Sequence, residues 1–572
     1  MDINKMDIKM YFRIPAKIVV ISAIFLCFVF TSAASDPVWN YKGAKWYQLL
    51  ESGNVVVGTK KGLEMLHGPT GERMWRRSDL RSVDEVEVFQ LEGTPLLLVA
   101  DNTGSRKRRT RLTAVDTLSG DTVWRTDKIK GFTALVAPFY ERDLLIFLTI
   151  RDNRRNRDRP EIYAHRLSTG EQLWDNEYPD TVELYRVGEG PRHGYESFRK
   201  GDEDKERYDL SGENPPVFEG DSMFLTYAGL HRYDLNTGRL VCKNEYDITD
   251  GSLKNTNSQA IARGEIVYTS AKGIVRAIRK SDCSTRWKSD DYGDGGIPEM
   301  MVHGNVIYGR TGGQFFSIKR NEWKTTGPVG VVALDAGTGE SVWRYTKAKD
   351  SITNMVLDTA KNRLFVADKK YLIGLDLNAR GKTKEALRVK HKLDRVPVSL
   401  VAQRNGNIVV RAIQDLVSFN PSTGKIGWAL EFDAPGVSGW RKFAMSALAI
   451  TAGVVTYKLQ AAYVREGHFN SVWRTNKRFL NFFSKYQRLM RKRFATSRQV
   501  GNIFYILTTV KSGKKKGTGV VGVDMLRGRT AAQVLFKDKT PRYQVDEFDG
   551  RLFNLNKGKI SAYMIEPYQS RK

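Results

Sequence analysis

Histidine and cysteine are scarce in this chain, which has 7 histidines and 3 cysteines among 572 residues. The histidines lack the spacing of metal ligands and are scattered at His67, His165, His193, His231, His303, His391 and His468. No Gly-x-Ser-x-Gly nucleophile elbow is present, and the glycine-rich run 513–519 does not have the order of a phosphate-binding loop. The sequence therefore shows no familiar metal, nucleophile or nucleotide site.

Acidic residues are also few, because Asp and Glu total 64 against 92 Lys and Arg, a net charge of +28. Such an excess implies an anionic partner or surface, such as lipid headgroups, acidic glycan or nucleic acid. The alternative is a basic but merely solvated exterior.

Long apolar runs are confined to the N-terminus. Basic residues from Lys5 to Lys17 precede an apolar run at Ile18–Phe30, and small residues follow up to Ala34. This order predicts a signal peptide at 1–34 and an exported mature chain at 35–572, in the periplasm or cell envelope. An uncleaved N-terminal anchor is the alternative. The residues before Cys27 are not small, so no lipid anchor is expected, and export argues against intracellular nucleic acid as the partner.

Two cysteines remain in the mature chain, Cys242 and Cys283. In an oxidising compartment they could form a disulfide, or they could be two buried thiols.

One hairpin theme recurs along the whole chain, and its clearest copy is Ala333–Trp343. One strand ends at Asp335, Thr338-Gly339 forms a tight turn, and the next strand carries the Trp. The other copies are centred on Gly71, Gly120, Gly170, Gly238, Cys283, Asp376, Gly424 and Gly528. Most are about 40–70 residues apart, a spacing typical of propeller repeats.

A β-branched or aromatic run of strand length lies upstream of almost every copy, for example Leu96–Ala100 and Leu144–Thr149. Each unit therefore predicts four antiparallel strands, and the fold class is all-β, a single β-propeller of four-stranded antiparallel blades. We expect eight blades, with a larger ring as the alternative. The segment Val38–Tyr41 resembles a detached last strand, so the two termini should close one blade together.

The hairpin residues resemble the tryptophan-docking motif of the pyrroloquinoline-quinone (PQQ) type propeller repeat. That repeat occurs in quinoprotein alcohol dehydrogenases and in the non-enzymatic outer-membrane assembly lipoprotein BamB. The resemblance implies a structural docking role for Trp75, Trp124, Trp174, Trp287, Ala333, Asp335, Thr338, Gly339, Trp343 and Trp428. It covers nearly the whole mature chain, and it is specific for the fold rather than for an activity.

The enzymes of that family have adjacent cysteines above the cofactor, and this chain has none. We therefore assign no catalytic, cofactor-binding or metal residue and expect a non-enzymatic scaffold without cofactor. Its expected partners are envelope or outer-membrane proteins, or an anionic lipid or glycan surface. The alternative is a divergent quinoprotein oxidoreductase that uses PQQ and Ca²⁺.

Basic insertions occur at one topological point, the turn before the strand that enters the Thr-Gly hairpin. Equivalent turns of successive blades emerge on the same face of a ring, so these loops should line the face opposite the Thr-Gly turns. The candidate anion-binding residues there are Arg106, Lys107, Arg108, Arg109, Arg154, Arg155, Arg157, Lys514, Lys515 and Lys516. The alternative is that the loops are only solvated.

Two longer insertions complete the pattern. The polar segment 183–216 predicts a flexible excursion. In 469–494, Phe479, Phe483, Tyr486 and Met490 recur at helical spacing, which predicts an inserted basic amphipathic helix. Its basic residues are Arg474, Lys477, Arg478, Lys485, Arg488, Arg491, Lys492 and Arg493. Such a helix either packs on the propeller or faces an anionic membrane or acidic partner.

Overall fold

A computed structural model describes most of the chain after the N-terminal segment. The described residues are 36–81, 83–103, 109–127, 129–151, 159–179, 216–226, 229–246, 260–293, 295–317, 322–434, 503–512, 515–536 and 541–565.

The described strands form ten separate sheets, nine of which hold at least four strands. The main strands within each sheet are antiparallel, and in nine sheets they follow one another in chain order. The expected all-β propeller is therefore confirmed. The expectation of eight blades was wrong, and the larger ring is correct, because each hairpin copy belongs to a sheet of its own rather than to an insertion.

We call the strands of a blade a, b, c and d in the order in which they pair. The three described strands of blade 9 are its strands b, c and d, because the bulge and the turn that faces Trp428 lie between the last two. The first strand of the chain is β1 (Trp39–Lys42), which is strand d of blade 10. Blades 1 to 5 follow in chain order. Blade 1 has β2 (Ala44–Leu49), β3 (Val55–Thr59), β4 (Gly62–Leu66) and β5 (Arg73–Arg77). Blade 2 has β6 (Val88–Gln90), β7 (Leu96–Thr103), β8 (Arg109–Asp116) and β9 (Thr122–Arg125), and β10 (Ile129–Lys130) also pairs with β8. Blade 3 has β11 (Phe132–Phe139), β12 (Leu144–Arg151), β13 (Arg159–Arg166) and β14 (Gln172–Glu177). Blade 4 has β15 (Val217–Glu219), β16 (Ser222–Leu225), β17 (Leu230–Asp234) and β18 (Leu240–Asn244). Blade 5 has β19 (Ile261–Arg263), β20 (Ile266–Ala271), β21 (Ile274–Arg279) and β22 (Thr285–Lys288).

Blades 6 to 10 complete the ring. Blade 6 has β23 (Glu299–His303), β24 (Val306–Ser317), β25 (Glu322–Asp335) and β26 (Ser341–Tyr345). Blade 7 has β27 (Val356–Asp358), β28 (Arg363–Ala367), β29 (Tyr371–Asp376) and β31 (Glu385–Lys390), while β30 (Gly381–Lys382) pairs with β26. Blade 8 has β32 (Ser399–Ala402), β33 (Ile408–Arg411), β34 (Asp415–Phe419) and β35 (Ile426–Glu431). Blade 9 has β36 (Ile503–Ser512), β37 (Lys515–Asp524) and β38 (Arg529–Leu535). Blade 10 has β39 (Arg542–Asp546), β40 (Arg551–Asn556), β41 (Lys559–Met564) and β1.

The termini close blade 10 together, as the sequence predicted. β1 pairs with β41 in antiparallel register, with Trp39 opposite Ala562. One blade is thus shared between the two ends of the chain.

A β-bulge recurs at the same place in nine blades, where strand c meets strand d just before the Thr-Gly turn. In blade 2, for example, Ala114 lies opposite Trp124, but Val115 lies opposite Thr122. One extra residue therefore stands in strand d, and such a bulge locally bends and twists a strand.

The apolar core is divided into ten clusters, and each cluster joins two blades that are neighbours in the chain or across the closure. Since burial of a large apolar side chain contributes about 1.5–3 kcal/mol, the contacts between blades hold the ring together. Among the described residues, none of these clusters is confined to a single blade.

Helices are a minor feature of the described residues, which contain three short 3₁₀ helices at Glu85–Glu87, Tyr140–Arg142 and Thr359–Lys361. Within the described part of the chain, no helix is long and apolar enough to cross a membrane. The predicted signal peptide at 1–34 and the predicted helix at 469–494 lie outside the described residues. So does the excursion at 183–216, apart from Pro216.

Candidate functional site

The repeated tryptophans lock each blade to the next one. The Trp124 indole donates from Nε1 to the Leu167 carbonyl oxygen at 2.7 Å. A Cβ on Gly170 would lie only 2.6 Å from the Trp124 ring. The glycine therefore leaves room for the ring, and the carbonyl three residues before it accepts the indole N–H.

The same pair of contacts joins five junctions. The remaining four indoles donate to the carbonyl three residues before the docking glycine, namely Trp39 to Gly68, Trp75 to Thr117, Trp174 to Leu235 and Trp287 to Ala336. Their rings face Gly71, Gly120, Gly238 and Gly339 respectively.

Asp335 shapes the turn that receives Trp287. Its Oδ1 accepts from the Gly337 and Thr338 backbone N–H groups at 2.8 and 3.0 Å. Gly339 has φ +79, a conformation that favours glycine. The most conspicuous motif residues of the sequence thus act within the architecture of the ring.

The junction from blade 4 to blade 5 uses a disulfide instead of a tryptophan. Cys242 and Cys283 are bonded, with their Cα atoms 5.6 Å apart. Cys242 stands opposite Arg232 at the place of the Trp, and Cys283, with φ 58, stands at the place of the Gly. The carbonyl of Lys280, three residues before Cys283, accepts from Arg232 Nη1 at 2.7 Å.

Two other junctions also replace the indole as donor. At blade 8, Leu387 and Val389 pack against Gly424, and Arg363 Nη1 donates to the Pro421 carbonyl at 2.8 Å. At blade 9, the Trp428 ring covers Gly528, while Gln403 Nε2 donates to the Met525 carbonyl. The acceptor carbonyl is therefore satisfied even where the tryptophan contact has changed, as a buried carbonyl requires.

Trp343 differs from the other docking tryptophans. Its side chain is 1% exposed, and its Nε1 has no hydrogen-bond partner. The facing turn of blade 7, after Asp376, lacks the Thr-Gly pattern, and Trp343 instead lies opposite Gly381 of β30. The best copy of the motif in sequence thus docks on the most altered turn.

The basic insertions lie in the turns between strands b and c, which we call the bc turns. The bc turn precedes strand c and the Thr-Gly turn follows it, so the two turns lie at opposite ends of each blade. We call the two ends the bc face and the cd face. Of the predicted basic residues, Arg109 and Lys516 are exposed at the bc face, and Lys515 begins β37 there. The other candidate anion-binding residues lie outside the described residues.

Short bc turns carry further lysines that the sequence reasoning missed. Blade 1 has Lys60 and Lys61, blade 7 has Lys369 and Lys370, and blade 10 has Lys557 with Lys559 beside it; all six are exposed. Each set of lysines lies between two apolar strands in the sequence, and this position would have indicated a basic bc turn. The prediction considered only the long insertions.

Charges of both signs are paired on the cd face. Examples are Arg142 with Asp221, Arg166 with Glu171 and Lys361 with Asp358. On the bc face, Lys369 pairs with Asp350 at 2.7 Å, but Lys60, Lys61, Lys370, Lys557 and Lys559 form no ion pair with a described acidic residue. The bc turns of blades 1, 7 and 10 therefore present clustered lysines, whereas Lys425 of the cd face is exposed but stands singly in its turn.

The described residues offer few features of an active site. They contain no cluster of three or more His, Cys, Asp or Glu side chains placed to hold a metal ion. His391 is buried, accepts from the Leu393 N–H at Nδ1 and donates from Nε2 to the Asp368 carbonyl. Burial lowers the pKa of His391. Its two hydrogen bonds give it a structural role in the neutral form.

Arg411 is the most unusual buried group. Its guanidinium lies 3.8 Å from the Phe504 ring centre, and its Nε and Nη2 have no hydrogen-bond partner. Burial lowers the pKa of Arg411 to about 9. The charge is therefore held between blades 8 and 9 at a cost in stability.

The chain is similar to one known protein family and to several solved structures. The family described as outer membrane protein assembly factor BamB matches residues 108–288 and 323–441, and no curated protein matches the chain. Among solved structures, BamB from Moraxella catarrhalis is 12% identical, with a TM-score of 0.31, and covers 69% of this chain and 99% of its own. A quinohemoprotein alcohol dehydrogenase from Comamonas testosteroni is 13% identical, with a TM-score of 0.32, and covers 69% of this chain and 73% of its own. Likeness at this level says nothing about activity.

Proposed function

The chain belongs to the PQQ-repeat family described as outer membrane protein assembly factor BamB, and from that membership we propose that it is an exported, non-enzymatic β-propeller scaffold of the cell envelope. In this proposal it binds envelope or outer-membrane protein partners through the bc face, and it takes part in assembly at the outer membrane. The signal-like N-terminus supports export, because its basic, apolar and small-residue segments follow the order of a secretory signal.

One observation carries the proposal: the side chains of the repeat motif contact each other between blades, whereas the bc turns of blades 1, 7 and 10 expose clustered lysines. The indole and glycine of the motif face each other across junctions, as Trp124 and Gly170 do. The lysines of the bc turns, in contrast, extend into solvent. Exposed charged loops on a rigid scaffold are common binding elements.

The rival function is that of a quinoprotein oxidoreductase with PQQ and Ca²⁺. The described residues do not fit that group well, because no metal-binding cluster of His, Cys, Asp or Glu occurs among them. The two cysteines also join neighbouring blades instead of standing next to each other in sequence. Titration of the purified chain with PQQ and Ca²⁺ separates the two functions, and saturable cofactor binding would favour the enzyme.

A capture experiment tests the scaffold proposal directly. The full chain, immobilised and exposed to a detergent extract of envelopes, should retain a specific protein. The charge-reversing variant Lys369→Glu/Lys370→Glu on the bc face should lose it. The matched control Lys382→Glu/Lys425→Glu, on exposed lysines of the cd face, should retain it. Recovery of no protein, or equal recovery by both variants, would count against the proposal.

A further inference from the structure

Five lysines meet where the ring closes. We call Lys42, Lys60, Lys61, Lys557 and Lys559 the closure lysines. Lys42 is the last residue of β1, and Lys559 lies directly opposite it in β41. Lys557 is in the bc turn of blade 10, and Lys60 and Lys61 form the bc turn of blade 1.

Backbone hydrogen bonds hold the two turns next to each other. The Gly558 carbonyl accepts from the Gly43 and Ala44 N–H groups at 2.8 and 3.0 Å. Ala44 in turn lies opposite Thr59, the residue before Lys60. The bc turns of blades 10 and 1 are therefore fixed relative to each other by the strands that close the ring. A shallow depression lies at the blade 10 turn, where Lys42, Lys557 and Lys559 line it.

This arrangement is electrostatically unfavourable without an anion. Like charges directly opposite each other in a sheet are destabilising, as Lys42 and Lys559 are here. Among the described residues, no Asp or Glu forms an ion pair with a closure lysine. All five side chains are exposed, so the positive charge is available to an external ligand.

The shape of the site favours a surface over a small molecule. The lysines stand on turn tips and at a strand end, all at one face of a ring, and the depression between them is shallow. A lysine ammonium is a compact point charge that suits phosphate without the planar, bidentate geometry of arginine. Several point charges on one face match the phosphates of a flat anionic bilayer.

We propose that the closure lysines dock the bc face on an anionic phospholipid surface. This inference rests on the proposed envelope location and gives the scaffold its orientation: the bc face lies toward the membrane and the paired charges of the cd face lie away from it. A membrane-embedded protein partner would meet the ring on that same side, so the two contacts are compatible.

Vesicle binding tests the proposal with the full chain. Vesicles of phosphatidylcholine with about one third phosphatidylglycerol are compared with pure phosphatidylcholine, and binding is measured by co-sedimentation. The apolar N-terminal run is present in every sample, so the difference between the two vesicles isolates the electrostatic part. The test variant is Lys60→Gln/Lys61→Gln/Lys557→Gln/Lys559→Gln.

The matched control removes the same number of charges from the cd face, as Arg239→Gln/Lys382→Gln/Arg404→Gln/Lys425→Gln; these four side chains are exposed too. Wild type and control should bind the anionic vesicles alike, and the closure variant should bind about tenfold or more weakly. Wild-type binding should weaken as salt rises from about 0.05 M to about 0.5 M.

Equal loss in both variants would show that only net charge matters and would overturn the proposal. The proposal would also be overturned if soluble glycerol phosphate bound to the same lysines while the vesicles did not bind. The vesicle assay contains no protein partner, and the capture assay contains no bilayer. Failure of this inference and failure of the scaffold proposal can therefore be distinguished.

Discussion

Cys242 and Cys283 occupy, in two neighbouring blades, the places that a tryptophan and its docking glycine occupy at five other junctions. The disulfide thus replaces a packing contact by a covalent one at the same point of the ring. Arg232, which donates to the Lys280 carbonyl, supplies the hydrogen bond that the indole would have made.

This equivalence predicts how the junction responds to mutation. Reduction of the disulfide, which closes a loop of 41 residues, should lower the free energy of unfolding by about 3–4 kcal/mol. The variant Cys242→Trp/Cys283→Gly should regain about 2 kcal/mol or more over Cys242→Ala/Cys283→Gly, because the ring can pack on the new glycine. Urea denaturation of the variants under reducing conditions measures both effects, and equal midpoints for the two double variants would refute the equivalence.

The docking glycines can be tested with a control of matched backbone conformation. Gly339 and Gly406 have φ +79 and +80, but a Cβ on Gly339 would meet the Trp287 ring at 2.3 Å, whereas one on Gly406 would meet nothing within 4 Å. Gly339→Ala should therefore cost about 1–3 kcal/mol more than Gly406→Ala, which carries the backbone strain alone. Thermal unfolding gives the comparison, and equal losses would mean that the ring does not need the glycine.

Buried histidines predict acid sensitivity. Burial lowers the pKa of His165 and His391 in the folded chain. When the pH falls below the ordinary pKa of histidine, the unfolded chain therefore binds more protons than the folded chain does. The free energy of unfolding should therefore fall from about pH 7 to about pH 5. Protonation of His391 at Nδ1 would also break its bond from the Leu393 N–H. In His391→Gln the slope against pH should be smaller, while His303→Gln, at an exposed ring, should keep the wild-type slope; a steeper slope in His391→Gln would contradict this account.

Arg411 offers a stabilising substitution. Because its buried charge lacks hydrogen bonds at Nε and Nη2, Arg411→Met should raise the free energy of unfolding by about 1–4 kcal/mol. Arg411→Lys keeps a buried charge and should give no such gain. Denaturant midpoints provide the measurement. A large loss in Arg411→Met would show that the native guanidinium has a favourable partner.

The repeat and the closure could be predicted from sequence because both depend on local patterns. The spacing from Asp335 to Gly339 and Trp343 specifies a turn, a bulge and a ring contact. Trp39 lies in a short strand that resembles the last strand of a repeat unit but has no Thr-Gly turn before it. The number of blades was not predictable in this way, since each blade packs only on its neighbours and nothing local limits their number. The resemblance to smaller rings led to the wrong expectation.

The candidate site was only partly predictable. Long basic insertions drew attention to the bc face, but Lys60 and Lys557 become neighbours only through the pairing of Ala44 with Thr59 and its contact with Gly558. These residues are almost 500 positions apart in sequence, so no local pattern could join them. The choice between a disulfide and free thiols depended in the same way on the alignment of two blades.

Site-specific photo-cross-linking tests the central claim, that the ring is a scaffold whose bc face meets its partner. A photoreactive residue is placed at Lys370 on the bc face or at Thr423 on the cd face, both exposed, and cells are irradiated. The account predicts a specific adduct with an envelope protein from position 370 and none from position 423. An adduct from position 423 alone, or none from either position, would contradict it.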